Sequence, residues 1–135
     1  MDLTKLPLFD TMRERMAYLS ARQTVLAENV ANANTPGYRA RDVESPDFAA
    51  MAAGEVTSKA SLTTTNPMHI ATSPGVPGGF KVQDTPDSES TPNGNSVVLE
   101  DQMTKVAGVQ MDYSTVTQLY RKALNMLRVA AASPR

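Results

Sequence analysis

The sequence predicts a mainly α chain in which long N- and C-terminal helices form a coiled-coil-like pair, joined by an irregular Pro/Gly-rich middle with room for short β segments. Three observations predict this. Near both ends of the 135-residue chain apolar residues recur at alternating steps of three and four, the spacing that lines one face of a helix. Between residues 40 and 95 few windows keep a helical or a strand period, and six of the nine prolines and five of the seven glycines fall there. A hydrophobic content of 41% is low for a compact core, so one small core is the upper limit. The division is 1–39, a helix and turn; 40–95, an irregular segment; and 96–135, a second helix, with the two ends forming one discontinuous helical domain.

The first helix is carried by Phe9, Met12, Met16, Leu19, Leu26, Val30 and Ala33, with Gln23 in the one polar slot. Pro7 suits a first turn, where its missing N–H costs nothing, and Asp10 offers a cap for a slightly later start. The stop is sharper. Pro36 pushes Thr35 out of the helical region, and Gly37 supplies the positive φ that a type II turn needs at its third position. The helix therefore ends near Asn32 to Asn34, after about 25 residues or roughly 40 Å.

The stretch "NVANANTPGYRARD" sets Asn29, Asn32 and Asn34 before Thr35-Pro36-Gly37-Tyr38. Asparagine tolerates the left-handed conformation and bonds to nearby backbone, so Asn32 or Asn34 suits a C-terminal cap. Asn29 lies a full turn earlier, and its amide is expected to face a partner.

The middle, with runs such as "TSPGVPGGF" and "DTPDSESTPNGN", buries too little apolar surface to offset its ordering entropy, so much of it is expected to be mobile in the free chain. "GFKVQD" can pair as a short strand with "GEVTSKASL" or "SVVLE". His69 is the sole histidine and there is no cysteine, which leaves a metal site without a ligand set.

In the last third, Asn95 or Ser96 can cap a helix running from about 97 to 131, roughly 50 Å long. Glu100 and Asp101 sit where the N-terminal partial charge favours carboxylates. Two stripes run along this helix. The first, with Met103, Val106, Gln110, Tyr113, Thr117, Tyr120, Leu124, Leu127 and Ala131, is expected to pair with Met12, Met16, Leu19, Leu26 and Val30. The second, with Val109, Asp112, Val116, Leu119, Ala123, Met126 and Ala130, is expected to stay exposed and mediate assembly, since one partner helix covers one seam. Helix one has a more polar second row of its own at Arg15, Tyr18, Arg22, Val25, Asn29 and Asn32. A fold-back of the middle segment over the outer strip is the alternative.

Several function classes have nothing to stand on. The net charge is −1, which gives no reason to expect nucleic acid or an acidic membrane as partner. No catalytic constellation, phosphate loop or metal-binding spacing is present, so neither a cofactor nor a small-molecule substrate is expected. The N-terminus has no secretory-signal pattern and no window is apolar enough to span a bilayer. The default is a cytoplasmic protein, a default that fails for proteins exported without a cleaved signal. Hydrophobic helices at both ends suit open, head-to-tail assembly.

"LAENVANANTPGYRARD" resembles the N-terminal motif of the bacterial flagellar rod, hook and hook-associated proteins. "RQTVLAENVAN", "RARD" and Asp47-Phe48 look like the basal-body rod proteins within that family. "NGNSVVLEDQMTKVA", followed by Tyr113, resembles the family's entry into its C-terminal helix. The resemblance covers roughly the first 48 and last 43 residues, and the short middle has no space for the outer domains of hook and distal-rod proteins. It implies a structural, non-enzymatic subunit of the rod, whose terminal helices order on assembly and line a hollow axial drive shaft needed for motility. It implies export through the flagellar type III apparatus and a place in the periplasmic part of the basal body. The implied neighbours are other rod subunits, the membrane-embedded ring and its adaptor. Asn29, Asn32, Asn34, Thr35, Pro36, Gly37 and Tyr38 would then form a turn that docks on an adjacent subunit, with Tyr38 as an aromatic anchor. A reading from another class is a small helical adaptor or export chaperone that binds other axial subunits through its free stripe.

Overall fold

In the computed structural model, which describes residues 7–52 and 79–132, two long helices run antiparallel and a small β unit packs on the other side of the first. The helices are α1 (Pro7–Ala31) and α3 (Leu99–Ala132); between them lie β1 (Arg41–Val43), the short α2 (Phe48–Ala52) and β2 (Val82–Asp84). The chain is thus mainly helical, as the periodicity predicts, with a two-strand sheet in the middle. None of the helices among the described residues is long and apolar enough to cross a membrane.

The register of the helix pair is set by a few cross-contacts. Phe9 meets Tyr120 edge-to-face with ring centroids 5.4 Å apart, Thr117 Oγ1 lies 3.7 Å from Met16 Sδ, and Asn29 bonds to Gln102. As the α1 residue number rises, its α3 partner's number falls, which is the antiparallel arrangement. The apolar core joins Tyr18, Leu19, Ala21, Val25 and Leu26 of α1 to Val109 and Val116 of α3 and to Val43 and Phe80, with Met12, Met16, Phe48, Val82 and Val106 packed around it.

The second row of α1 is covered by the β unit. β1 and β2 pair antiparallel, Arg41 opposite Asp84, Asp42 opposite Gln83 and Val43 opposite Val82. Two strands of three residues cannot stand alone; α1 supplies the missing layer. The Tyr18 ring sits edge-on to Phe48 and Phe80 at centroid distances of 5.6 and 5.7 Å, contacts worth about 0.5–1.5 kcal/mol each beyond their burial. Arg22 grips the Asp42 carboxylate with two hydrogen bonds, Nε to Oδ1 at 2.8 Å and Nη2 to Oδ2 at 2.7 Å, which fixes β1 along the helix and holds the guanidinium more firmly charged.

Three expectations change. The partner of "GFKVQD" is the "RDV" strand rather than "SVVLE", because "SVVLE" leads into α3; "GEVTSKASL" and His69 lie outside the described residues. Asn95 and Ser96 sit ahead of the α3 cap. The first helical residue is Leu99, and Asn95 Oδ1 instead accepts the Val97 N–H at 2.8 Å, a local turn. The α3 seam also runs between the two predicted stripes. Val109 and Val116, assigned to the outer stripe, are 2% and 7% exposed against α1, whereas Met103 and Tyr113, assigned to the pairing stripe, are 58% and 42% exposed. The seam is formed by Val109, Val116 and the buried polar Gln102, together with Tyr120 against Phe9, so it draws on both stripes. Val106, Tyr120, Leu124 and Leu127 remain half-buried on the predicted side, Ala123 is half-buried from the other, and Leu119 and Met126 stay exposed.

Candidate functional site

The asparagine-rich turn after α1 and the "TPNGNS" loop before α3 close on each other as a clasp. The turn itself forms as its residues require: Tyr38 N–H returns to Thr35 O at 3.3 Å, Pro36 holds the second position and Gly37 the third with φ +71°. Asn32 folds back on the helix end, its Nδ2 donating to Glu28 O at 2.8 Å, so it does serve the carbonyls of the last turn. Asn34, Thr35, Pro36 and Gly37 form an exposed rim, and Tyr38 is half-buried.

The second loop bonds to the turn that follows α1. Asn95, 1% exposed, donates both amide hydrogens, to Asn32 O at 3.0 Å and Thr35 O at 2.7 Å. Both carbonyls lie in the turn just past the end of α1 and also accept a backbone N–H, from Thr35 and Tyr38, so Asn95 adds a second donor to each. Gly37 N–H donates to Asn93 O at 3.0 Å, Ser96 N–H to Tyr38 O at 3.1 Å, and Ala40 N–H to Ser96 Oγ at 3.0 Å. Gly94 has φ +82°, and a Cβ there would lie 3.5 Å from the Gly37 Cα. It is the positive φ of Gly37 and Gly94, more than lack of space, that calls for glycine at both positions.

Asn29 is the centre of a second layer. Its Nδ2 donates to Arg41 O at 2.6 Å and to Gln102 Oε1 at 3.0 Å; its Oδ1 accepts Arg41 N–H at 3.0 Å and the Tyr38 hydroxyl at 3.2 Å. All four bonding positions of the amide are used. The expectation that Asn29 faces a partner is corrected here: it is fully buried and joins α1, β1, the turn and α3 of its own chain. Tyr38 is tied in by its hydroxyl, and the Arg41 guanidinium lies 5.9 Å from its ring centroid.

From Gln102 the network reaches Asp87. Gln102 Nε2 donates to Asp87 Oδ2 at 2.7 Å, Val98 N–H to the same oxygen at 2.9 Å, and Lys105 Nζ to Oδ1 at 2.6 Å. Burial pushes the Asp87 carboxyl up, but the bonds from Lys105, Gln102 and the Val98 amide outweigh it and hold the group below the usual carboxylate range. Asp87 thereby supplies from outside the helix the carboxylate that the α3 N-terminus favours. Among the described residues, no buried side-chain nitrogen or oxygen lacks a partner.

The clasp members that sequence reasoning missed are Asp87 and Gln102, and the cross-chain role of Asn95. Gln102 falls one position off the chosen stripe, and Asp87 sits in a polar run with many equivalent acids. The one available signal was a polar residue at helical spacing from Val106 and Val109, beside a surplus of asparagines.

Both halves of the clasp lie within stretches that known proteins share. The flagella basal body rod protein family matches residues 9–39. The flagellar basal body rod protein FlgB of Agrobacterium fabrum (strain C58) is 34% identical over 123 residues, covering 89% of each chain. The chain belongs to the flagellar basal body rod protein family, with FlgB relatives. The FlgB of Escherichia coli K12 is 32% identical over 126 residues, 86% of this chain and 89% of that one. The FlgB of Salmonella typhimurium LT2 is 36% identical over 111 residues, 75% of each. The first two of these matches take in most of the chain, both halves of the clasp included.

Proposed function

We propose that this chain is a structural subunit of the flagellar basal-body rod, the axial element on which motility depends. The observation that carries this is the near full-length similarity to the FlgB proteins of several bacteria. The adaptor or chaperone reading is not favoured by these relatives. We take the subunit to be non-catalytic, without cofactor or small-molecule substrate, in keeping with the structural role of its relatives.

The finer picture is a proposal throughout. Residues 1–39 and 96–135 act as one helical unit, with 40–95 as its irregular partner. Subunits associate with other rod components and with copies of themselves. The exposed rim Asn34 to Gly37, the ring of Tyr38, and the exposed α3 residues Met103, Tyr113, Leu119 and Met126 are available for those contacts, whereas Val109, Val116 and Asn29 are committed within the chain. Delivery through the flagellar type III export apparatus, contact with the membrane-embedded ring and its adaptor, and a periplasmic position without a cleaved signal complete the reading.

The test is complementation. A strain lacking its own gene for this chain should regain swimming in soft agar when the gene is restored, and purified basal bodies should contain the chain in the rod. Recovery of the chain only in the cytoplasm, bound to other axial subunits, would transfer the assignment to the chaperone reading.

A further inference from the structure

The chain contains one Asn-Gly pair, Asn93-Gly94, and the fold places it in the clasp, exposed to solvent. Asparagine before glycine is chemically special, because no side chain shields the next backbone nitrogen from the asparagine amide carbon. When solvent base removes the Gly94 N–H proton, the nitrogen attacks Asn93 Cγ; a C–N bond forms, the Cγ–NH2 bond breaks and ammonia leaves. Water then opens the five-membered imide at either carbonyl, giving aspartate or, with the main chain rerouted through the side-chain carbon, isoaspartate.

The closed clasp restrains every atom of that step. Gly94 N–H donates to Thr91 O at 2.9 Å, and Asn93 O accepts the Gly37 N–H at 3.0 Å. Asn93 Oδ1 accepts the Asn95 N–H at 3.1 Å and the Thr91 hydroxyl. The proton to be lost is already shared, the amide to be attacked is held by two donors, and the peptide to be rotated is tied by its carbonyl to the Gly37 N–H. We propose that Asn93-Gly94 is a self-modification site gated by the clasp: closed, it is protected; open, it converts, and the converted chain closes poorly. Isoaspartate adds a main-chain carbon two residues before Asn95, whose amide must reach Asn32 O and Thr35 O.

The experiment follows the purified full-length chain at mildly alkaline pH across a series from stabilising osmolyte to urea. The open fraction is measured by circular dichroism, and the peptide containing residue 93 is assayed by mass spectrometry and for isoaspartate. Conversion should track the open fraction, so a sample about nine-tenths closed converts about tenfold more slowly than an open one. In urea, where no fold is needed, Gly94→Ala should suppress the reaction at Asn93. Aged chain returned to osmolyte should recover less helix than fresh chain. A rate independent of the open fraction, an undiminished rate in Gly94→Ala, or full helix recovery by converted chain overturns the proposal. None of these readouts depends on rod membership.

Discussion

Asn95 ties the loop ahead of α3 to the turn that follows α1: its Nδ2 lies 2.7 Å from Thr35 O, sixty residues earlier in the chain. The asparagine-rich turn is therefore held by another asparagine, brought to it by the loop that leads into the second helix. Because the bonds run between α1 and the approach to α3, the loss of one side chain should loosen the pairing of the two.

Asn95→Ala removes the second donor from Asn32 O and Thr35 O, which keep their backbone partners, and leaves the Val97 amide, in a buried residue, without its acceptor. We expect a loss of about 1–3 kcal/mol, the cost of one buried group left unsatisfied. Urea unfolding followed by circular dichroism should show a lower midpoint with little change in slope; an unchanged midpoint would mean that water replaces the amide freely.

Asn29 must donate and accept at once, so its aspartate analogue is not conservative. In Asn29→Asp the second oxygen would face Arg41 O and Gln102 Oε1, both acceptors. The variant should be at least as unstable as Asn29→Ala above the carboxylate range, and should regain stability as acid protonates the new group. An Asn29→Asp chain matching the wild type at neutral pH sinks this account of the hub.

The Asp87 carboxyl is held low in the folded state. Its contribution to stability is present above the ordinary carboxylate pKa and is lost as pH falls through the lower, folded value. Acid titration of stability should therefore show a limb that is diminished in Asp87→Asn. That variant should also lose about 1–3 kcal/mol at neutral pH, because Lys105 and Gln102 then face an amide. An acid limb of the same steepness in both proteins would place the titration elsewhere.

Val116 and Leu119 lie three residues apart on α3 but in different surroundings, one buried against α1 and the other half-exposed. Val116→Asp should collapse the helix pair, with a large loss of helical signal, since an unpaired carboxylate in the seam has no partner. Leu119→Asp should leave monomer stability within about 0.5 kcal/mol and reduce swimming in complemented cells. Equal unfolding by both would return Leu119 to the core.

Arg22 and Asp42 anchor the β unit to α1 through a two-pronged pair. Arg22→Lys keeps the charge but loses the fork geometry, so it should recover little of the roughly 1–2 kcal/mol that Arg22→Ala costs. Full rescue by lysine in thermal unfolding would show that charge alone is used.

Local pattern sufficed for the two long helices, the Thr35-to-Tyr38 turn and the family. These are local: three-and-four spacing, a proline that bars the helix and a glycine at positive φ act through near neighbours. The tertiary structure decided which side of α3 is core, where Asn29 points and what β2 pairs with. Val109 and Met103 are equally apolar in the sequence, and only the docking of α1, fixed by Phe9–Tyr120 and Asn29–Gln102, says which is buried. Asn95 and Asp87 bond to groups that come near them only when the ends of the chain meet, so their roles depend on distances that no local pattern contains.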